Sequence, residues 1–106
     1  MTVSEEMLKG IVGEIVRLAR PDRVILFGSA ATGSMTDDSD LDLLVIEPQV
    51  SDSRQEGLRL RAALPDTPLP IDLIVMSTER FEETKNVIGG IAYPAHKYGK
   101  VLYEAA

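Results

Sequence analysis

Apolar residues recur at steps of three and four near the start of the chain: Met7, Leu8, Ile11, Val12, Ile15, Val16 and Ala19. That period places them on one stripe of a helix. Thr2 with Glu5 has the spacing of a capping box, Glu5 and Glu6 suit the positive end of the helix dipole, and Arg17 and Arg20 suit its negative end. Pro21 disfavours helical geometry at Arg20 and predicts the stop. Gly10 and Gly13 either weaken this helix or allow close packing against it. The pattern then changes period. Residues 24–27 are a short β-rich apolar run, a first strand, which Gly28 breaks. Residues 29–33 read as a short helix or turn, and 36–39 as a polar loop. Residues 41–46 predict a second strand ended by Pro48. Residues 53–64 predict a helix with Leu58 and Ala62 inward and Leu60 a further candidate. Pro65, Pro68 and Pro70 make a stiff connection to a third strand at 71–76. Ser77 suits the cap of a helix from Thr78, Gly89 and Gly90 interrupt it, and 91–98 are helical again with Pro94 in the first turn. Residues 101–103 predict a last short strand. The order α-β-α-β-α-β-α gives an α/β (α+β) fold, a small sheet with helices packed on it.

Composition narrows the setting. A chain of 106 residues predicts one domain over 1–106 with one core. With 44% hydrophobic and 26% charged residues it has the make-up of a soluble globular protein. No cysteine is present, which excludes disulfides and thiolate metal sites and points to a reducing cytoplasm. The opening "MTVSEEMLKG" lacks the basic-then-apolar layout of a signal peptide, and no apolar run approaches the roughly 20 residues of a membrane span. A net charge of −6 argues against direct binding to nucleic acid, but not against a nucleotide accompanied by a divalent cation.

The chemistry concentrates in "FGSAATGSMTDDSDLDLLVIE", residues 27–47. Asp40 and Asp42 are two apart at the entry to a strand and so point the same way, whereas Leu41, Leu43 and Val45 point into the core. Adjacent carboxylates repel unless one is protonated or a cation lies between them, and Mg²⁺ prefers oxygen ligands. Asp72 interrupts the apolar "PIDLIVM". If its strand pairs with the second strand, three carboxylates meet and can hold two divalent ions about 3.5–4 Å apart, the arrangement for in-line phosphoryl displacement. Gly28 lets the backbone approach a phosphate, and Ser29 adds a hydroxyl beside free N–H groups at a helix start. Rival motifs fail on spacing. A P-loop needs Lys-Ser/Thr where Ser34-Met35 stands, a calcium loop needs glycine at Leu43 and glutamate at Gln49, and a dinucleotide fingerprint needs glycine at Ala30. An isolated Asp-x-Asp is most simply a solvated strand entry; Gly28-Ser29 at this spacing, together with Asp72, favours metal binding. Ser34, Asp37 and Asp38 read as loop and cap residues, His96 as a surface residue without catalytic role, and Tyr93, Tyr98 and Tyr103 as packing residues.

"GSAATGSMTDDSDLD" resembles the pattern Gly-Ser, ten residues, Asp-x-Asp of the DNA polymerase β-like nucleotidyltransferase superfamily, and "VILFGS", "SDLDLLV", "IDLIV" and "GKVLYE" resemble its minimal nucleotidyltransferase (MNT) branch. The resemblance implies a mixed sheet with flanking helices, ATP as substrate and Mg²⁺ as cofactor. It implies Asp40, Asp42 and Asp72 as metal-binding and catalytic carboxylates, with Asp72 helping to deprotonate an acceptor hydroxyl, and Gly28 and Ser29 as the triphosphate-binding pair. It further implies an antitoxin that forms a hetero-oligomer with a small helical HEPN toxin, in some cases transferring AMP to a toxin tyrosine. Many such relatives carry arginine directly after Gly-Ser and a basic residue two further on; here those positions are Ala30 and Thr32. Arg23, Lys85 and Lys97 are the chain's own candidates to restore that positive charge. The alternatives to protein adenylylation are neutralisation of a partner by binding alone and transfer to a small molecule.

Overall fold

In the computed structural model, which describes residues 5–28, 31, 40–66 and 70–106, the first apolar stripe forms helix α1 (Glu5–Ala19). Ile11 and Ile15 lie at its buried centre, with Met7, Leu8 and Val12 packed around them. The helix stops where Pro21 required. Arg20 takes φ 47° and its N–H donates to the Val16 carbonyl at 3.0 Å. Gly10 and Gly13 are exposed, and a Cβ on either would meet nothing within 4 Å, so neither serves close packing. The expected Thr2–Glu5 capping box lies outside the described residues because Thr2 does.

Four strands follow: β1 (Arg23–Phe27), β2 (Leu41–Glu47), β3 (Ile71–Ser77) and β4 (Lys100–Glu104). They form one sheet in the order β3-β2-β1-β4. β1 runs antiparallel to both β2 and β4, and β2 runs parallel to β3, so the sheet is mixed. Parallel neighbours need a crossover, and helix α2 (Ser53–Ala63) supplies it. Helices α3 (Thr78–Thr84) and α4 (Ala92–Tyr98) precede β4. Ser77 caps α3 as expected, its hydroxyl accepting from the Arg80 N–H at 3.1 Å. The cap of α2 is Asp52, whose Oδ1 accepts from Gln55 N–H at 3.0 Å. The turn or short helix expected at 29–33 falls outside the described residues apart from Ala31.

Strand alternation sorts the side chains onto two faces. Leu41, Leu43 and Val45 of β2 join Val24, Leu26, Ile71 and Val75 beneath α1 and α2. Leu44 and Ile46 join Ile25 on the opposite face, covered by Phe81 of α3 and by Ala92 and Ala95 of α4. Helix α2 corrects the expected inward set. Leu58 is 56% exposed and Ala62 is also exposed, while Gly57 and Leu60 are buried. A Cβ on Gly57 would sit 3.4 Å from the Leu73 carbonyl, an ordinary contact distance, so α2 packs against β3 at this residue.

Glu47, the last residue of β2, is 6% exposed, and its Oε2 has no hydrogen-bond partner. Burial pushes its carboxyl up to about 7, and a hydrogen bond to Glu56 acts in the same direction. Glu56 moves the other way because Arg59 grips both of its oxygens, at 2.7 and 2.8 Å. The proton therefore resides on Glu47 and the charge on Glu56. A carboxyl whose folded pKa lies above its unfolded value binds more protons when folded. Stability then falls as pH rises from about 4.5 to about 7 and is level above that window. Glu47→Gln keeps the shape without the charge. It should flatten this slope and stabilise the protein above pH 7.5 by roughly 2–3 kcal/mol, read by urea denaturation across pH 5–8. An unchanged slope would rule out the buried carboxyl as its source.

Candidate active site

The acidic end of the sheet owes its form to backbone register. The Leu41 N–H donates to the Pro70 carbonyl at 2.8 Å, tying the entry of β2 to the entry of β3. From there the parallel register sets Asp42 opposite Asp72. On its other side Asp42 lies opposite Phe27, with Gly28 next in the chain. Adjacent strands are about 4.8 Å apart, and partners in register share a face, so Asp42 and Asp72 emerge side by side. Asp40, two residues before Asp42, stands exposed at the strand entry. All lie on the face of Leu44 and Ile46, where α3 and α4 cover the far part of the sheet.

Gly28 closes the site from the β1 side. Its φ is +72°, and a Cβ there would collide with the Asp42 carboxylate. Glycine meets both demands: the left-handed backbone and the approach of Asp42. Its predicted companion Ser29 lies outside the described residues.

The electrostatics agree with the geometry. The Asp42 carboxyl is raised above the usual carboxylate range, first by burial and then by the charges of Asp72 and Asp40. Each of these influences opposes the charged form. Asp42 thus senses both of its predicted companions. Among the described residues, Asp40, Asp42 and Asp72 included, no three or more His, Cys, Asp or Glu side chains are grouped so as to hold a metal ion by themselves. Asp42 and Asp72, in register, are oxygen donors of the type a hard cation takes when water and phosphate oxygens complete its shell. Their mutual repulsion is the observation that fits such a cation.

The basic residues expected to offset Ala30 and Thr32 are engaged elsewhere. Arg23 stands at the opposite end of β1, pairs with Glu104 at 3.1 Å and lies over the Phe81 ring. Lys85 pairs with Glu82. Lys97 donates to the Tyr93 hydroxyl at 3.1 Å and sits 5.4 Å from the Tyr98 ring centroid. Tyr98 is exposed, so its role is not the expected packing. His96 is exposed and meets Phe81 edge-on at 6.1 Å. The feature missed in the sequence is the Pro70 carbonyl. A proline without an N–H reads as a breaker, yet its carbonyl holds the register on which the site depends.

With this geometry in place, the comparisons define the class. The nucleotidyltransferase domain family matches residues 6–93, and the chain belongs to that family. The crystal structure of a "putative nucleotidyltransferase from Sulfolobus solfataricus" has the same fold, with a TM-score of 0.65 and 19% identity over 93% of this chain and 78% of that one. A comparison with curated proteins finds no match. Among the described residues no helix is long and apolar enough to cross a membrane.

Gly28→Ala should therefore disturb both backbone and site. It should lower stability by about 1–2 kcal/mol for the left-handed backbone alone, with a further loss as Asp42 is displaced. Gly10→Ala, in the exposed part of α1, should instead stabilise by up to about 1 kcal/mol. Urea denaturation of the two variants checks the opposite signs.

Proposed function

We propose that the protein transfers AMP from ATP to a hydroxyl, most plausibly a tyrosine, of a partner protein. Its role would be that of an antitoxin in the MNT manner, with a small helical HEPN-type toxin as acceptor and a single-domain chain that gains acceptor recognition through a hetero-oligomer. One observation carries the reading: Asp42 and Asp72 are in register, beside a glycine whose missing side chain lets the Asp42 carboxylate come up against the backbone. Gly28 and Ser29 would bind phosphate oxygens. Asp40, Asp42 and Asp72 would hold Mg²⁺, which when bound offsets the negative charge of these carboxylates and of the triphosphate. Asp72, the more exposed member of the facing pair, would accept the acceptor's proton. The hydroxyl oxygen then forms a bond to the α-phosphorus, the bond from that phosphorus to the bridging oxygen breaks, and pyrophosphate leaves with the electron pair. The products are the adenylylated partner and pyrophosphate.

A second reading has a specific observation in its favour. Ala30 and Thr32 supply no positive charge, and Arg23 and Lys85 are committed to Glu104 and Glu82. In that reading the chain keeps the fold and neutralises its partner by occlusion.

The discriminating experiment incubates the protein with its partner, ATP and Mg²⁺ and takes the intact mass of the partner. Transfer predicts a gain of one or more AMP units with wild type and a rate at least about 100-fold lower with Asp42→Asn. An unmodified partner that is bound and folded, with neutralisation in cells surviving Asp42→Asn, would establish occlusion instead.

A further inference from the structure

The outer edge of β3 borders the candidate site. In the strand order β3-β2-β1-β4, β3 has no strand on its far side among the described residues. It offers a row of unpaired backbone groups beginning beside Asp72. Next to that edge runs a groove of about 360 Å³ between β3 and α2, lined by Asp72, Ile71, Leu73, Leu58, Arg54 and Arg61. A smaller hollow of about 240 Å³ continues it past Ser53, Val75 and Ser77 to Arg80. Among the described residues none of these three guanidinium groups makes an ion pair, in contrast to Arg17, Arg23 and Arg59. An acidic chain of net charge −6 thus keeps three uncommitted arginines along one strand edge that begins at a candidate active-site carboxylate.

We propose that this edge is the acceptor-docking surface, and that its occupant is an extended, acidic segment of a partner protein that adds to β3 as a further strand. Three features favour a peptide over a nucleic-acid strand. The free edge supplies a ladder of backbone donors and acceptors, which a peptide matches. Leu58, Leu73 and Val75 supply apolar contacts, whereas no aromatic residue lines the groove for base stacking. Arg54 and Arg61 belong to α2 and lie on its side of the sheet, and Asp72 lies on the other. Because strand side chains alternate faces, acidic residues at odd offsets from an acceptor hydroxyl meet Arg61 and Arg54 when that hydroxyl stands beside Asp72. This docking mode deepens the transfer reading and rests on it for its purpose, but it is measurable without any transfer.

The test uses the full chain and fluorescence anisotropy at 0.15 M salt. The probe is a labelled ten-residue peptide, rich in threonine and valine, with one central tyrosine and glutamates at one and three residues on either side. Control probes are the same peptide with lysines for the glutamates, the same peptide N-methylated at alternate backbone positions, and an oligouridylate of matched length. The proposal expects the acidic peptide to bind at least tenfold more tightly than each control. It also expects the double variant R54E/R61E, verified as folded by circular dichroism, to lose at least tenfold in peptide affinity. The N-methylated probe on wild-type protein keeps the question decidable if that variant does not fold. Acidic-peptide binding that ignores both charge reversal and N-methylation, no peptide binding, or preference for the oligouridylate would overturn the proposal. Peptide binding retained by Asp42→Asn, alongside wild-type protein that transfers no AMP, would sink the transfer reading and leave the docking surface standing.

Discussion

Everything at the acidic end depends on the parallel register of β2 against β3. The register has to be right to the residue, because a slip by one turns every side chain of a strand to the other face. Two influences hold it. β2 is buried on both faces except at Asp42, so a slip by one residue would turn Asp42 into the core under α1 and α2 and put a leucine at the open position. The Leu41 N–H bond to the Pro70 carbonyl fixes the same register from the backbone. The consequence is that Asp42 and Asp72 are set opposite each other despite their repulsion. The hydrophobic core supplies the free energy that holds this pair, since each fully buried leucine or isoleucine contributes about 1.5–3 kcal/mol.

β2 carries two acids with raised carboxyl pKa values, and the chain treats them differently. Glu47 lies on the α1–α2 face, is nearly fully buried, and holds a proton against Glu56, which Arg59 keeps charged. That acid is neutralised from within. Asp42 lies on the opposite face at the other end of the strand, half-buried, with its carboxyl raised by burial and by the charges of Asp72 and Asp40. Nothing among those neighbours compensates it. The two devices separate an acid accommodated by the fold from an acid left available to a ligand.

Much of the fold was legible because its signals were local. The α1 stripe, the Pro21 stop, the Ser77 cap and the break at Gly89–Gly90 each rest on residues close in sequence. The shared face of Asp40 and Asp42 follows from strand alternation alone. What failed was tertiary. The phase of α2 was not legible because it is set by packing: Gly57 and Leu60 face the sheet and are buried, while Leu58 turns out. Arg23, Lys85 and Lys97 were candidates for triphosphate charge, yet long side chains pair with whatever the fold sets beside them: Glu104, Glu82 and Tyr93. The position of β4 beside β1 depends on a long-range antiparallel pairing that a run of five residues cannot announce.

The distribution of positive charge connects these points. A phosphate-handling site is usually expected to place its cations around the phosphates. Here the two residues after Gly28-Ser29 that could do so are alanine and threonine, and Arg23 is drawn to the far end of β1. The arginines without an ion pair among the described residues line the hollows beside β3 instead. Rows of charge on an exposed edge add little to folding stability, because exposed pairs are worth about 0–1 kcal/mol. Their main physical effect is to favour oppositely charged partners and accelerate encounter with them. Among the described residues, the arginines without an ion pair thus lie nearer the β3 edge than Gly28, and on the docking proposal they would favour an acidic partner there.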